Sequence, residues 1–394
     1  MSLRLRWARG AGITMIAGLS LVAAACGSGG ENTAAESAGE GKLPAEIKLV
    51  GVRDTTGPVA YAGLGAVKGT QLAVEEINNS NFLGEGVKIT VTEKDSANSI
   101  ETASSEVTSA IADSGVAAIL GPAAGQQAAA VAPVAERSRT PIVFTQAGSD
   151  GVVIGKYTFR ATSPMDTYYH LATEYLAAKG LKNVTVLYNA TFPTFAQLAE
   201  KTMPDLAGKS GLTVVSSTAV QATTQDFTSP TRLIAEKKPD AALFFLTAPQ
   251  SVTALKQLRQ AGYDGLVLGT SVQGGGNLKS AGEYGKGVVY PTDFSPAQSQ
   301  GKAAEFIKNF QAKFNALPDQ YAAEGYDAAW WLARAIKASG SATRDGIQQG
   351  LAKVAAEGFE GAMGRLGFDG NDMRVPGVLV EWDGEAEKVV TTTP

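Results

Sequence analysis

The chain has 394 residues, of which 44% are hydrophobic and 18% are charged, and its formal net charge is −4. That length suits two domains, and that composition is typical of a globular protein rather than of a disordered or multispan membrane protein. Because the chain is acidic and has no basic cluster, we expect neither nucleic-acid binding nor a polybasic contact with a membrane surface.

The N-terminal segment has the pattern of a secretory signal peptide. Arg4, Arg6 and Arg9 precede an apolar run from Ala11 to Ala25. This run is shorter than the roughly 20 residues that a membrane-spanning helix needs, and it ends in small residues. Residues 1–25 contain those three arginines and no acidic residue, so their removal changes the formal net charge from −4 to −7.

Cys26, the only cysteine of the chain, follows the sequence L-V-A-A-A at the end of this segment. A lone cysteine in this position resembles the lipid-attachment box of bacterial lipoproteins, which implies cleavage before Cys26 and lipidation of its thiol. A standard cleavage site with an incidental cysteine is the alternative. Residues 26–43 are poor in apolar side chains, which predicts a flexible tether. We therefore expect an extracytoplasmic protein anchored to the cell membrane.

Between residues 44 and 160, apolar segments with β-branched residues alternate with segments of helical periodicity. Each predicted strand is followed by a small, polar loop that contains glycine. The order βαβαβαβ predicts a parallel sheet with helices on both faces. The loops after Val52, Leu120 and Phe144 should gather at the carboxyl edge of that sheet, where ligands bind in open α/β sheets.

The same alternation is repeated between residues 161 and 290, and further helices and paired strands are predicted after it. The predicted fold class is therefore α/β, with two doubly wound parallel-sheet lobes. We expect the first lobe to comprise 44–160 with 291–364, and the second to comprise 161–290 with 365–394. Three crossings would then join the lobes and permit closure around a ligand while each lobe stays rigid.

Ordered motifs along the chain resemble those of a known family. The matching stretches are T-G-P-V-A-Y-A-G with G-T-Q-L-A-V-E-E-I-N, A-A-I-L-G-P with A-P-V-A-E, Y-T-F-R-A-T-S-P-M-D, D-F-T-S-P-T-R-L-I-A-E-K-K-P-D, L-K-Q-L-R-Q-A-G, Y-A-A-E-G-Y-D-A-A and G-R-L-G-F-D-G. Together they resemble the leucine/isoleucine/valine-binding type of solute-binding proteins that serve ABC transporters. The resemblance implies a type I periplasmic-binding-protein fold, a small ligand held between the lobes, no cofactor, and delivery of the ligand to a membrane permease.

The positions that hold a free amino acid in this family differ in the present chain. A serine that helps to hold the ligand carboxylate falls on Gly125, and a threonine falls near Gly148 or Ser149. The acid that meets the ligand ammonium falls on Ser271. Because unpaired charges in a closed cleft are costly, these changes predict a ligand other than leucine, isoleucine or valine.

Aromatic positions are only partly retained. Tyr321 matches an aromatic residue of the family. A second aromatic position of the family falls on Thr247, and a third falls between Phe192 and Phe195. Phe192 and Phe195 could equally anchor the core of the lobe. With Tyr61, these residues predict an aromatic, amide-like or otherwise weakly charged ligand. The predicted ligand-binding residues are Tyr61, Gly125, Gln126, Gln146, Ala147, Gly148, Ser149, Phe192, Phe195, Thr247, Ser271 and Tyr321.

Arg53 and Asp54 lie in the loop after the first strand, which is longer than the family pattern. If they pointed inward, they would meet a ligand carboxylate and a ligand ammonium themselves. Since charged loop residues mostly face water, we expect them to be solvated or paired with each other.

An enzyme and a non-transporting lipoprotein are the competing functions. His170, the only histidine, has no G-x-S-x-G motif or metal-ligand cluster near it, and G-G-G-N at 274–277 is neither a phosphate-binding loop nor a dinucleotide fingerprint. We therefore expect no enzyme activity and no metal site. A lipoprotein of the same fold that serves as an envelope sensor or interaction module is the alternative.

Overall fold

A computed structural model describes residues 42–164, 166–298 and 300–392. The predicted signal peptide, the predicted lipidation site Cys26 and most of the predicted tether lie outside the described residues. None of the helices within these ranges is both long and apolar enough to cross a bilayer.

Strands and helices alternate along the described chain. The strands are β1 (Glu46–Arg53), β2 (Lys88–Asp95), β3 (Val116–Leu120), β4 (Ile142–Phe144), β5 (Thr158–Arg160), β6 (Asn183–Asn189), β7 (Thr213–Val220), β8 (Ala241–Phe245), β9 (Leu266–Leu268), β10 (Val289–Thr292), β11 (Phe359–Gly361), β12 (Gly364–Asp369), β13 (Asp372–Arg374), β14 (Val378–Trp382) and β15 (Glu387–Thr392). The α-helices are α1 (Ala60–Asn79), α2 (Ile100–Ala112), α3 (Gly125–Ser138), α4 (Asp166–Ala178), α5 (Pro193–Gln197), α6 (Met203–Lys209), α7 (Thr228–Lys237), α8 (Ala248–Gln260), α9 (Gly301–Phe314), α10 (Gln320–Ser339) and α11 (Arg344–Glu357). A π-helical turn, Leu198–Thr202, joins α5 to α6, and 3₁₀ segments cover Ser271–Gln273 and Asn277–Gly285.

The first lobe is built on an eight-stranded sheet with the order β11-β12-β13-β5-β4-β3-β1-β2. Strands β1 to β5 pair in parallel, and β11 to β13 pair with one another in antiparallel fashion at one edge. Strands β3 and β4 are apolar and buried along their whole length, as expected of strands covered by helices on both faces. On this sheet, α1 packs along α10 and α10 packs along α11.

The second lobe is built on a seven-stranded sheet with the order β15-β14-β10-β9-β8-β6-β7. Strands β6 to β10 pair in parallel, and β14 and β15 add an antiparallel edge. The predicted α/β fold with two parallel-sheet lobes is thereby confirmed. The carboxyl ends of β6, β8 and β9 form the edge that carries this lobe's share of the site.

The described chain passes between the two sheets three times, after β5, after β10 and after β13. The predicted position of the third crossing, near residue 365, is wrong because β12 and β13 still belong to the first sheet. Asp372 of β13 accepts hydrogen bonds from Nε and Nη2 of Arg160 in β5, at 2.7 and 2.9 Å. This ion pair ties the late strand to the first sheet, so the crossing lies between Arg374 and Val378.

Helix α1 begins at Ala60, although the helical spacing of apolar residues in the sequence begins only near Leu64. Its N-cap, Val59, offers no side-chain hydrogen bond, so the sequence carries no capping signal at this end. The earlier start places Tyr61 in the first turn of the helix, beside the loop that follows β1.

Candidate functional site

A cleft lies between the two lobes, at the carboxyl ends of their parallel strands. The empty space between its walls amounts to about 800 Å³, which includes space open to solvent. Its wall is formed mainly by the segments that follow β1, β3, β4, β6, β8 and β9, together with the start of α10. The lining residues are Asp54, Val59, Tyr61, Ala62, Ala123, Ala124, Gly125, Gln126, Gln146, Gly148, Thr162, Ser163, Tyr168, Phe192, Thr194, Phe195, Thr247, Ser271, Val272, Tyr321 and Glu324.

Ten of the twelve predicted ligand-binding residues line this cleft. They are Tyr61, Gly125, Gln126, Gln146, Gly148, Phe192, Phe195, Thr247, Ser271 and Tyr321. The other two, Ala147 and Ser149, are buried behind the wall. Their backbone carbonyls accept hydrogen bonds from Nη1 of Arg160, at 3.0 and 2.7 Å. They shape the loop after β4 and do not face the cleft.

Two tyrosines meet at the first-lobe side of the cleft. The rings of Tyr61 and Tyr321 are tilted by 53°, with centroids 5.8 Å apart. Burial raises the pKa of Tyr61 to about 12, against the opposing effect of hydrogen bonds from the backbone N–H of Ala248 and from the Tyr321 hydroxyl. The two rings therefore give the cleft an aromatic surface on this side.

Phe192 and Phe195 form the aromatic part of the opposite wall. Their rings meet edge to face, with centroids 5.9 Å apart. Both line the cleft, and both also pack against the hydrophobic core, in which Phe195 is buried. The two roles considered for this pair, cleft wall and core anchor, are therefore compatible.

Glu324 is a cleft residue that the sequence analysis missed. It lies on α10, buried to 3% exposure, and its Oε1 accepts a hydrogen bond from Thr162 Oγ1 at 2.6 Å. Its Oε2 accepts a hydrogen bond from Gln146 Nε2 at 2.5 Å. The signal in the sequence is weak: Glu324 and Asp327 are two acidic residues within the mostly apolar stretch Y-A-A-E-G-Y-D-A-A. Such a pattern by itself predicts neither burial nor a partner.

Glu324 also faces Asp293, a buried residue in the second crossing. Burial, and then the negative charge and hydrogen bond of Asp293, raise the pKa of Glu324 well above its usual range. Burial likewise raises the pKa of Asp293. Because two adjacent buried carboxylates repel each other, this pair holds a proton, and Thr162 of the first crossing contacts both members.

Arg53 and Asp54 are both buried, at 0% and 1% exposure, so the expectation that they are solvated or paired with each other is wrong. Arg53 Nη1 donates to Thr145 Oγ1 at 2.7 Å, and its Nε lies 3.8 Å from an oxygen of Glu93. Burial lowers the pKa of Arg53. Only Asp54 of the two lines the cleft.

Gly125 and Ser271 occupy the positions that carry a serine and an acid in the resembling family. A Cβ on Gly125 would overlap Ser149 Oγ, so the space for a larger side chain is already taken. Ser271 begins a 3₁₀ turn and is buried. The carboxyl groups of the cleft lining are instead those of Asp54 and Glu324.

A family model described as "Periplasmic binding protein" matches residues 46–386. The chain belongs to this family. Leu/Ile/Val-binding protein homolog 7 of Brucella abortus (strain 2308) is 24% identical to this periplasmic binding protein over 385 residues, which are 92% of this chain and 95% of that protein. The resemblance to the Leu/Ile/Val-binding type of solute-binding protein is thereby confirmed.

Solved structures share the fold of this periplasmic binding protein. The leucine-binding protein LivK of Thermotoga maritima superposes with a TM-score of 0.81 at 23% identity, covering 88% of this chain and 98% of that one. A solute-binding protein of R. palustris in complex with benzoate superposes with a TM-score of 0.80 at 19% identity, covering 89% and 97%. Two proteins with the same fold are therefore named for different solutes. The ligand of the present chain has to be inferred from the residues that line its own cleft.

Proposed function

We propose that this chain is an extracytoplasmic, lipid-anchored receptor that binds a small solute and delivers it to an ABC permease. The observation that carries this proposal is the cleft between the lobes, with aromatic rings and hydrogen-bonding groups contributed from both sides. Membership of the periplasmic binding protein family supports it. Lipid anchoring rests on the position of Cys26 after the signal-peptide pattern.

The proposed ligand has an aromatic or apolar body and few charges. The apolar surface is provided by Tyr61, Tyr321, Phe192 and Phe195, and among the described residues that line the cleft none is a lysine or an arginine. The carboxylate of a bound amino acid would therefore lack a cationic side chain, and glycine replaces the serine that helps to hold it in the resembling family. These features favour an aromatic, amide-like or otherwise weakly charged solute over leucine, isoleucine or valine.

We further propose that the protein is a receptor and not an enzyme. His170 does not line the cleft, and both carboxyl groups that do are held by hydrogen bonds from neighbouring side chains. No group of three or more His, Cys, Asp or Glu side chains within the described ranges is arranged to hold a metal ion. An accessible, aromatic cleft suits capture of a solute better than the sensor or interaction role considered as the alternative.

A thermal-shift screen of the purified protein against amino acids, amides, aromatic acids and sugars tests the proposal. A ligand at 100 times its dissociation constant stabilises the folded state by about 2.7 kcal/mol, which moves the unfolding midpoint visibly. We expect stabilisation by at least one aromatic or amide-like compound, lost in Tyr61→Ala and retained in Tyr284→Ala, which removes an exposed tyrosine outside the cleft. Stabilisation by none of these classes would contradict the receptor function, and a strong shift with leucine alone would contradict the proposed ligand class.

A further inference from the structure

A first bridge between the lobes joins the loop after β4 to the helical segment after β6. Asp150, in that loop, donates its backbone N–H to Gln197 Oε1 at 2.8 Å, and its Oδ2 lies 3.2 Å from Lys201 Nζ. Asp150 belongs to the first lobe, whereas Gln197 ends α5 and Lys201 lies in the π-helical turn of the second lobe. Residues four apart lie on the same side of a helical segment, so both side chains meet the same partner. Both contacts break if the lobes separate.

Each end of this first bridge is fixed within its own lobe. Arg160 Nη1 donates to two backbone carbonyls of the loop after β4, at 3.0 and 2.7 Å. On the other side, Glu200 Oε1 accepts a hydrogen bond from the Tyr188 hydroxyl at 2.6 Å, which ties the π-helical turn to β6. π-helical turns are rare and occur mostly at functional sites. The bridge therefore joins two segments that are anchored to their own sheets.

A second bridge joins the start of α10 to the 3₁₀ turn after β9. Gln320 is buried, and its Nε2 donates to the backbone carbonyl of Ser271 at 2.5 Å. The run G-G-G-N follows this turn, and a Cβ on Gly274 would lie 2.8 Å from Gln320 Oε1. A Cβ on Gly275 would lie 2.7 Å from Asp319 Cβ. Glycine at these two positions therefore lets α10 of the first lobe approach the turn of the second lobe closely.

The side chains of both bridges lie outside the cleft lining, which among the described residues includes none of Asp150, Gln197, Lys201 and Gln320. Their contacts run from lobe to lobe and do not depend on the chemistry of a solute. A contact made only when the lobes are together favours the closed arrangement by its own free energy. Because a solute held by both walls binds the closed arrangement, the fraction of closed molecules scales its apparent affinity.

We propose that Gln197, Lys201 and Gln320 are positioning residues that hold the lobes together and thereby set the affinity for solutes without contacting them. The effect on affinity rests on the proposed receptor function, whereas the effect on the separation of the lobes does not. Loss of either bridge should weaken the binding of every solute by the same factor. The order of preference among solutes should stay the same, because the cleft lining is unaltered.

Distances between two spin labels test the proposal without any solute. Nitroxides are attached to Ala130→Cys in α3 and Lys209→Cys in α6, two exposed positions, in the full-length Cys26→Ser protein. The helices belong to different lobes, and a Cβ on the first residue of α3 would lie 3.5 Å from a side chain of α5, so their separation grows as the lobes part. Double electron–electron resonance should give one main distance. The population of a longer distance should rise about two- to tenfold in Lys201→Glu and in Gln320→Ala, the range for one hydrogen bond.

Two further variants make the distance measurement specific. Lys302→Glu is the matched control, because it reverses an exposed lysine whose ion pair with Glu305 stays within one helix, and it should leave the distances unchanged. Asp150→Lys/Lys201→Glu exchanges the charges of the first bridge and should restore the main distance. Unchanged distances in both Lys201→Glu and Gln320→Ala would overturn the inference, even if one of the two failed to fold and only the other could be measured. Failure of the exchanged pair to restore the distance would overturn the role of Lys201.

Calorimetric titrations with benzoate, benzamide and leucine measure the effect on affinity. Each probe that binds the unaltered protein should bind about two- to tenfold more weakly in Lys201→Glu, and by the same factor as the other probes. A loss confined to one probe would show that Lys201 acts on the solute itself and would overturn the inference. If none of these probes and no class in the thermal-shift screen bound, the receptor function would be contradicted, and the label distances would still decide whether the bridges hold the lobes together.

Discussion

Glu324 shows how a single residue ties the cleft to the crossings between the lobes. Its carboxyl group accepts hydrogen bonds from Gln146, in the loop after β4, and from Thr162, in the first crossing. It also lies beside Asp293, a buried residue of the second crossing. Movement of one lobe against the other would change the contacts that Glu324 makes with the crossing residues Thr162 and Asp293. The charge state of this pair is therefore linked to folding, and this link can be measured.

The raised pKa of Glu324 predicts a loss of stability with rising pH. In the unfolded chain the group ionises near its ordinary pKa of 4.5, whereas the folded protein retains the proton to higher pH. The stabilisation is thus fully present below about pH 4.5 and is lost as the pH rises towards the raised pKa. Glu324→Gln should flatten the dependence of the free energy of unfolding on pH between about pH 5 and 7, by up to about 1.4 kcal/mol per pH unit, as measured by urea unfolding.

Glu305→Gln provides the comparison, since Glu305 is exposed and pairs only with Lys302 on the same helix. It should leave the slope of stability against pH unchanged. If Glu324→Gln and the unaltered protein showed the same slope, the proton would not reside on this pair in the folded state.

The close approach of Gly125 to Ser149 can be tested by the stability of single and double variants at these two positions. A methyl group on this residue would overlap Ser149 Oγ, while the next-nearest atom, Ser149 Cβ, lies 3.4 Å away. We expect Gly125→Ala to lower the free energy of unfolding by about 1–3 kcal/mol, the usual cost of overpacking, and Gly125→Ala/Ser149→Ala to recover most of it. Strictly additive losses in urea unfolding would show that the two positions are not in contact.

At this scale the sequence predicts part of the site. The segments after the strands supply nine of the ten predicted residues that line the cleft, because a parallel sheet brings its strand ends together, and Tyr321 comes from the start of α10. Asp54 and Glu324 were not predicted to face the cleft. Their burial depends on partners 42 to 178 residues away, such as Ser96, Gln127 and Gln146, and no local pattern encodes such pairs.

At the scale of the elements, α1 and α10 pack along each other in the first lobe, and both helices carry cleft residues. A Cβ on Gly69 would overlap the backbone carbonyl of Ala322, and one on Gly325 would overlap that of Ala66. The two backbones approach so closely because glycine occupies both contact points. Tyr61 and Tyr321, at the starts of these helices, depend on this packing for their position in the cleft.

Gly325→Ala should therefore destabilise the protein strongly. Its methyl group would meet backbone atoms, which cannot rotate away, so we expect a loss of about 3 kcal/mol or more in the free energy of unfolding. Gly208→Ala is the matched helical substitution, since a Cβ there meets open space. It should stabilise by about 0.5–1 kcal/mol through helix propensity. A comparable effect of both substitutions in thermal unfolding would contradict the close packing of α1 and α10.

Elements with strong local patterns were predicted well. The buried strand β3 was predicted over the same residues, Val116–Leu120, because a short apolar run between turn signals has few other interpretations. The stretch that forms β12 was predicted as a strand but assigned to the second lobe, whereas it belongs to the first sheet, and β13 was not predicted as a strand. Their place is set by the ion pair of Asp372 with Arg160, and a pairing over 212 residues leaves no local trace.

At the scale of the whole molecule, three crossings join two lobes that each have their own sheet. The pair of Glu324 and Asp293 lies beside two of the crossings, where the Thr162 hydroxyl contacts both carboxyl groups. Such a chain can open and close by small changes in the crossing segments while each sheet stays intact. A solute that contacts both walls would favour the closed arrangement.

The location of the molecule in the cell gives a separate prediction. If Cys26 carries the lipid, Cys26→Ser should shift the exported protein from the membrane fraction to the soluble extracytoplasmic fraction, because no other cysteine can take the lipid. Metabolic labelling with a radioactive fatty acid, followed by fractionation, measures both effects. Lys42→Ala, at the end of the predicted tether, should change neither. Membrane retention of the labelled Cys26→Ser protein would contradict the anchor.

Isothermal titration calorimetry with the strongest stabiliser from the thermal-shift screen tests the receptor account most directly. If the chain is a solute receptor, one solute molecule should bind saturably per chain, and the affinity should be strongly reduced in the cleft variants Tyr61→Ala and Tyr321→Ala. The affinity should be unchanged in Tyr284→Ala, outside the cleft. Binding that stays the same in both cleft variants, or no saturable binding, would contradict a solute site between the lobes.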